Sequence, residues 1–335
     1  MKRVLFVLLA LAMACASLPV TARAGAIELT YSNFFPPTHV QSQLADAWAK
    51  EVEKRTDGKV KIAYFPGGTL TNAKQCYDGV VEGLSDIGMS ALAYSRGRFP
   101  VLAAVDLPLG YPNGVAATKV ANAVYEKFMP KEFDDTEVMF FHAHGPGVLC
   151  TAKAPVDKLE DLKGLKLRAT GNSAKLVEIL GGTPVAMSMP DSYQSIQKGV
   201  VNGGIYPIET NKGWKMAEVV DYCTQTPAIA YTTTFFVAMN KDKWKSLPAD
   251  VQKVIREVNT EFAAKHGEAW DAADVLGKEA LLAKGGKLVP LPQAETDRWI
   301  KTSAPMLDAY AEDVKAKGLD GKAIVDYAQS VLHEK

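Results

Sequence analysis

Gly164-Leu165-Lys166-Leu167-Arg168-Ala169-Thr170 is the stretch on which the reading of the fold turns. Before it, Pro155, the acids Asp157, Glu160 and Asp161, and then Gly164 give a turn and a short helical turn. Leu165, Leu167 and Ala169 then alternate with Lys166, Arg168 and Thr170, the two-residue period of a strand. Gly171-Asn172-Ser173 stops that strand and offers Asn172 or Ser173 as N-cap of a helix from about 174 to 180. Arg168 is thereby placed near the C-terminal end of a strand and beside a helix N-terminus. Ligands of open α/β sheets bind at strand C-termini, and helix N-termini favour anions. A guanidinium there can hold a carboxylate or sulfonate through two parallel hydrogen bonds. It can equally be a solvated arginine on an edge strand.

The chain has 335 residues, 47% hydrophobic and 23% charged, enough for two domains and a sizeable core. Residues 1–24 read as a secretory signal peptide. Lys2-Arg3 is the charged head, Val4 to Ala16 the apolar run and Ala22-Arg23-Ala24 the small-x-small cleavage site. The apolar run is too short to cross a bilayer. A lipidated Cys15 is the competing reading, but Ala12-Met13-Ala14 lacks the leucine such a site uses. The mature chain is expected to begin near Gly25, in the periplasm, with 35 basic and 38 acidic residues, a net charge of −3. No basic stripe of the kind a nucleic-acid partner needs is visible.

Cys76, Cys150 and Cys223 remain after cleavage, which in an oxidising compartment permits one disulfide and one free thiol. Cys150 and Cys223 lie in strand-like runs and are the favoured pair; Cys76 falls in a helical stretch. No cysteine spacing fits a zinc site. His142 and His144, two apart at a strand end, could share a metal, but no third ligand stands nearby, so no metal is expected. The nucleophile elbow, the phosphate loop, H-E-x-x-H and G-x-G-x-x-G are all missing.

Residues 161–204, DLKGLKLRATGNSAKLVEILGGTPVAMSMPDSYQSIQKGVVNGG, resemble the central segment of the extracytoplasmic solute-binding proteins of TRAP transporters, the DctP-like family. The resemblance extends over nearly all of the mature chain. It implies an α/β, periplasmic-binding-protein-like fold of two lobes joined by hinge strands, with a long helix running along both. Residues 25–148 with about 233–265 would form lobe I, and 149–232 lobe II. About 266–335 would hold the continuation of the long helix and C-terminal helices packed across the lobes.

The resemblance also assigns a site. Arg168 would hold the acid group of the ligand. The first strand and loop, with FPGGTL at 65–70, bring Asn33, Phe34 and Asn72 to the cleft. SALAYSRGRFP at 90–100 adds Ser90 and Tyr94, and His144 would donate a hydrogen bond to the anion. GVVNGGIYPIETNKGW at 199–214 adds Tyr206 and Glu209, and Tyr231 and Phe235 would lie near the hinge. Many members carry a second arginine where this chain has Val148, Leu149 and Cys150. One cation among aromatic residues suits a monoanion: a small hydroxy or keto acid, an aromatic acid or a sulfonate.

The implied function is an extracytoplasmic receptor that captures a small organic acid and delivers it to the small and large TRAP permease subunits. It would act as a monomer, with no cofactor and no nucleic-acid partner, and not as an enzyme. An exported enzyme on a similar scaffold and a ligand sensor for a signalling partner are the alternatives.

Overall fold

The computed structural model describes residues 25–334. The signal peptide, Cys15 and the cleavage point after Ala24 lie outside the described residues. The strands are β1 (Ile27–Asn33), β2 (Val60–Phe65), β3 (Ile87–Ala91), β4 (Thr136–Ala143), β5 (Gly147–Thr151), β6 (Lys166–Ala169), β7 (Thr183–Ala186), β8 (Gly203–Pro207), β9 (Tyr222–Gln225), β10 (Thr234–Asn240) and β11 (Lys287–Pro290). The helices are α1 (Val40–Arg55), α2 (Cys76–Val81), α3 (Gly114–Phe128), α4 (Gly171–Ile179), α5 (Ser192–Gln197), α6 (Thr210–Gly213), α7 (Lys241–Ser246), α8 (Ala249–Ala283), α9 (Gln293–Ser303), α10 (Pro305–Lys315) and α11 (Gly321–His333).

Two mixed sheets result, ordered β2-β1-β3-β10-β4 and β11-β9-β5-β8-β6-β7. In the first, β10 lies between β3 and β4, antiparallel to both. Its run Thr234–Met239 is buried throughout, as an unbroken apolar strand with cover on both faces should be. In α1, Ala45, Trp48, Ala49 and Val52 recur at helical spacing and are buried, together with Gln41 and Ser42 of its first turn.

The chain passes between the sheets from β4 to β5 and returns from β9 to β10. The two passages are tied together: the Gly147 N–H donates to the Tyr231 carbonyl at 2.9 Å, and the Thr232 hydroxyl donates to the His144 carbonyl at 2.6 Å. Gly147 is required at this crossing, because a Cβ there would lie 2.1 Å from the Tyr231 ring. Cys150 and Cys223 are register partners on the antiparallel strands β5 and β9, and their sulfurs are bonded across a separation of 73 residues. Cys76 is a buried free thiol that burial pushes up to about 12.

Helix α8, 35 residues long, begins only at Ala249, after Leu247-Pro248 ends α7. Its carboxylates reach both sides of the molecule. Asp271 accepts from the Gly114 N–H at the start of α3. Three residues on, Asp274 accepts from the Glu209 N–H, just after β8, at 3.1 Å. The sequence reads 293–333 as one helical tail, whereas the structure divides it into three helices. Pro305 starts α10, and Asp320 caps α11 by accepting from the Ala323 N–H at 3.0 Å. Among the described residues no helix is long and apolar enough to cross a membrane.

Candidate functional site

Arg168 is 5% exposed and lies on β6 between Gly204 of β8 and Val185 of β7. A Cβ on Gly204 would come 2.7 Å from the Tyr206 ring and 3.1 Å from the Arg168 Cβ, so glycine there makes room for both side chains. The helix after β6 starts earlier than the sequence suggests. Thr170 is the N-cap, and Ser173 completes a capping box by accepting from the Thr170 N–H at 3.0 Å.

Three hydrogen bonds orient the guanidinium. Nε donates to the Met187 carbonyl at 3.1 Å, Nη1 to the Ile205 carbonyl at 3.3 Å and Nη2 to the Tyr94 hydroxyl at 3.5 Å. Arginine has five N–H bonds. One on Nη1 and one on Nη2 are therefore left without a partner among the described residues, the pair a carboxylate accepts in bidentate fashion. The Tyr94 oxygen also accepts from the Met189 N–H at 3.0 Å, so its own hydrogen is available to donate. The Tyr206 hydroxyl is buried with no partner among the described residues. Burial holds the Tyr94, Tyr206 and Tyr231 phenols above their ordinary range, against the opposing field of Arg168.

These groups border a small cavity between the two sheets, about 30 Å³ in volume. Its walls are aromatic. The Phe34 ring runs nearly parallel to Trp214 (6.0 Å between centroids, 19°) and to Phe235 (6.2 Å, 12°). Tyr94 meets Phe34 edge-on at 5.6 Å, and Trp270 of α8 stacks on Phe235 at 5.3 Å.

His144 also borders the cavity, but not in the role the sequence suggests. Its Nδ1 lies 2.5 Å from the Gly145 carbonyl oxygen, which can only accept. The proton is therefore on Nδ1, and Nε2 presents a lone pair. Burial, reinforced by the Arg168 charge and opposed by the Gly145 bond, lowers the imidazole to about 4. The expected donor to an anion is instead an acceptor. His142 is occupied elsewhere: its Nδ1 accepts from Trp270 Nε1 at 3.0 Å and its ring stacks on His266.

Glu209, 2% exposed, accepts from His39 Nε2 through Oε2 at 3.0 Å. His39 Nδ1 accepts from the Gln41 N–H, so the His39 proton is on Nε2 and the contact is a hydrogen bond. Glu209 Oε1 has no protein partner among the described residues.

Three expected lining residues do not reach the cavity. Asn33 is buried under it, donating to the Tyr64 hydroxyl at 2.8 Å and accepting from the Phe35 N–H at 3.0 Å, which shapes the turn that presents Phe34. Asn72 is exposed and accepts from the Lys74 and Gln75 N–H groups ahead of α2. Ser90 donates to the Ala73 carbonyl at 2.7 Å. Each bonds to main chain outside the cavity. Arg98, in the same SALAYSRGRFP segment as Tyr94, pairs with Asp78 and Asp135 over the Tyr77 ring.

Residues 31–313 match the family model of DctP, bacterial extracellular solute-binding protein family 7. The chain belongs to this family. Among solved structures, it is similar to a TRAP periplasmic solute-binding protein from Desulfovibrio salexigens, solved as an open complex. The two are 35% identical, with a TM-score of 0.80 and 92% and 96% of the two chains covered. It is also similar to a TRAP solute-binding protein from Rhodoferax ferrireducens in complex with copurified benzoate (29%, TM-score 0.87, 92% and 98%). A third is the Bordetella bronchiseptica TRAP protein with bound (R)- and (S)-mandelate (29%, TM-score 0.85, 91% and 98%). The two-lobed α/β fold with its long helix is the fold of these TRAP solute-binding proteins.

In this solute-binding protein, Arg168, Phe34, Tyr94, His144, Tyr206, Glu209, Tyr231 and Phe235 meet around one cavity. The sequence reading missed Trp214, Trp270, Met189 and Thr233, which also border it. Trp214 closes the GVVNGGIYPIETNKGW segment already quoted and was open to notice. Trp270 gave no signal beyond Phe262, His266 and Trp270 sharing one face of α8, a pattern that reads as core.

Proposed function

We propose that this TRAP solute-binding protein captures a small aromatic monocarboxylate between two hinged lobes and delivers it to the small and large membrane subunits of its permease. The observation that carries this reading is Arg168. It is a buried cation fixed by two main-chain carbonyls, with one N–H on each terminal nitrogen unpaired, at the base of an aromatic-walled cavity. The lobes part to admit the ligand, the carboxylate pairs with the guanidinium, and the ring packs against the aromatic wall of Phe34, Trp214 and Phe235. Shutting the cleft removes water and strengthens the ion pair in the lower dielectric.

Lobe I comprises residues 25 to about 146 with about 233–265, lobe II about 147–232, and the remainder spans them, with β11 joining the sheet of lobe II. The paired passages at His144–Gly147 and Tyr231–Thr232 serve as the hinge. The protein is exported with cleavage near Ala24 and acts as a monomer. The relatives with benzoate and with mandelate support an aromatic acid over a dicarboxylate, as does Arg168 being the one buried cation among the described residues.

Calorimetry with benzoate, phenylacetate and succinate tests the reading, together with mass spectrometry of ligand carried through purification. Micromolar or tighter binding of an aromatic acid, with succinate silent, is the expected result. Tight succinate binding with no response to aromatic acids would overturn it.

A further inference from the structure

The cavity offers donors at one place and acceptors at another. Arg168 Nη1 and Nη2, the Tyr94 hydroxyl and the Tyr206 hydroxyl are donors, and a carboxylate satisfies them. His144 Nε2 and Glu209 Oε1 can only accept, and neither has a protein partner among the described residues. A plain aromatic acid has nothing to give them. Its entry would strip water from a lone pair and from a carboxylate oxygen and put hydrocarbon in its place. Leaving a buried polar group unpaired is costly, and more so when the group is charged.

We infer that the ligand bears a hydroxyl as well as its acid group, and that His144 Nε2 and Glu209 Oε1 are the acceptors that select it. This rests on the aromatic-acid reading above and narrows it to hydroxylated aromatic acids. The two acceptors stand in different parts of the cavity wall. His144 is close enough to Arg168 to feel its charge, with its ring edge-on to Tyr231 at 5.7 Å. It is suited to a hydroxyl on the carbon next to the carboxylate. Glu209 is held by His39, whose ring lies 5.8 Å from Trp214, part of the aromatic wall proposed to meet the ligand's ring. It is suited to a phenolic hydroxyl. That Nε2 and Oε1 accept follows from the proton positions on His144 and His39, which the Gly145 carbonyl and the Gln41 N–H dictate.

An ammonium would satisfy the same acceptors, so the test needs an amino-acid arm. Calorimetry on the mature protein compares phenylacetate with mandelate, 3-hydroxyphenylacetate and phenylglycine. At least one hydroxy acid is expected to bind roughly 10- to 100-fold tighter than phenylacetate, the range of one satisfied buried hydrogen bond. In His144→Phe the mandelate-to-phenylacetate ratio falls to within about twofold; in Glu209→Gln the 3-hydroxyphenylacetate ratio shrinks instead.

Equal wild-type affinities for phenylacetate and both hydroxy acids overturn the inference while leaving the aromatic-acid reading in place. So does a preference that survives both substitutions. Phenylglycine binding tighter than either hydroxy acid replaces the hydroxyl by an ammonium and overturns it too. If no aromatic acid binds, the functional reading fails and this inference fails with it. The wild-type comparison decides even if His144→Phe does not fold.

Discussion

Arg168 is buried beside main-chain oxygens that hold its plane, so its removal separates binding from folding. Arg168→Ala is expected to weaken acid binding by about 3–5 kcal/mol, roughly 10²- to 10⁴-fold, because it leaves a buried carboxylate unpaired. The melting temperature of the free variant should hold or rise, since a buried cation with unfilled donors disappears. Calorimetry on a folded variant that returned wild-type affinity would remove Arg168 from the site. Tyr206 supplies the opposite contrast. Its hydroxyl is buried with no partner among the described residues, so Tyr206→Phe should stabilise the free protein by about 1 kcal/mol in a denaturant titration while weakening ligand binding. A hydroxyl that merely packs would change stability alone. The strand-end position of Arg168 was legible from a period-two run and a glycine stop, which left a solvated edge-strand arginine equally open; its role at the ligand came from the family resemblance. The role of His144 was not, because its tautomer is set by the Gly145 carbonyl, a main-chain atom that no residue type announces.

Among the elements, β5 and β9 are joined by the Cys150–Cys223 bond, which closes a long stretch of chain. Cys150→Ala with Cys223→Ala is expected to cost about 2–4 kcal/mol, and dithiothreitol should lower the wild-type melt by a similar amount. A melt insensitive to both would mean that the pair adds nothing to the stability of its sheet. The strands and α1 could be read because their apolar periods are plain. The start of α4 was misplaced because Thr170 and Ser173 both fit a cap, and only the reciprocal bond between them fixes which is which. Asn33, Asn72 and Ser90 share a related ambiguity. Short polar side chains at strand ends and in loops bond nearby main chain as readily as a ligand, and nothing in the local sequence separates the two uses. Trp270 could not be found at all, since its place at the cavity depends on where α8 crosses the molecule.

At the scale of the whole molecule, buried titratable groups set how stability varies with pH. Burial keeps His142, His144 and His266 neutral, His144 at about 4 and His266 at about 3. Their contribution is full above the ordinary histidine value near 6.5 and is lost as pH falls below it. Buried acids act the other way. Burial raises Asp106 to about 7, Glu132 to about 7 and Asp274, helped by Glu209, to about 8. What they contribute is full below about 4 and is lost as pH rises through their folded values. The two groups oppose each other between about 4 and 6.5, and above that only the acids act. The melting temperature should therefore fall from pH 6.5 to 8, and Asp274→Asn, which can still accept from the Glu209 N–H, should flatten that fall. A melt that climbs over this window contradicts the assignment.

The Tyr94 hydroxyl meets Arg168 and the Met189 N–H from across the interval between the sheets. A solute anchored on that arginine would touch both halves at the seam where they come together. Cargo occupancy and overall outline thus become a single signal. A docking protein that feels only the exterior contour could tell a loaded carrier from an idle one without ever contacting the cargo.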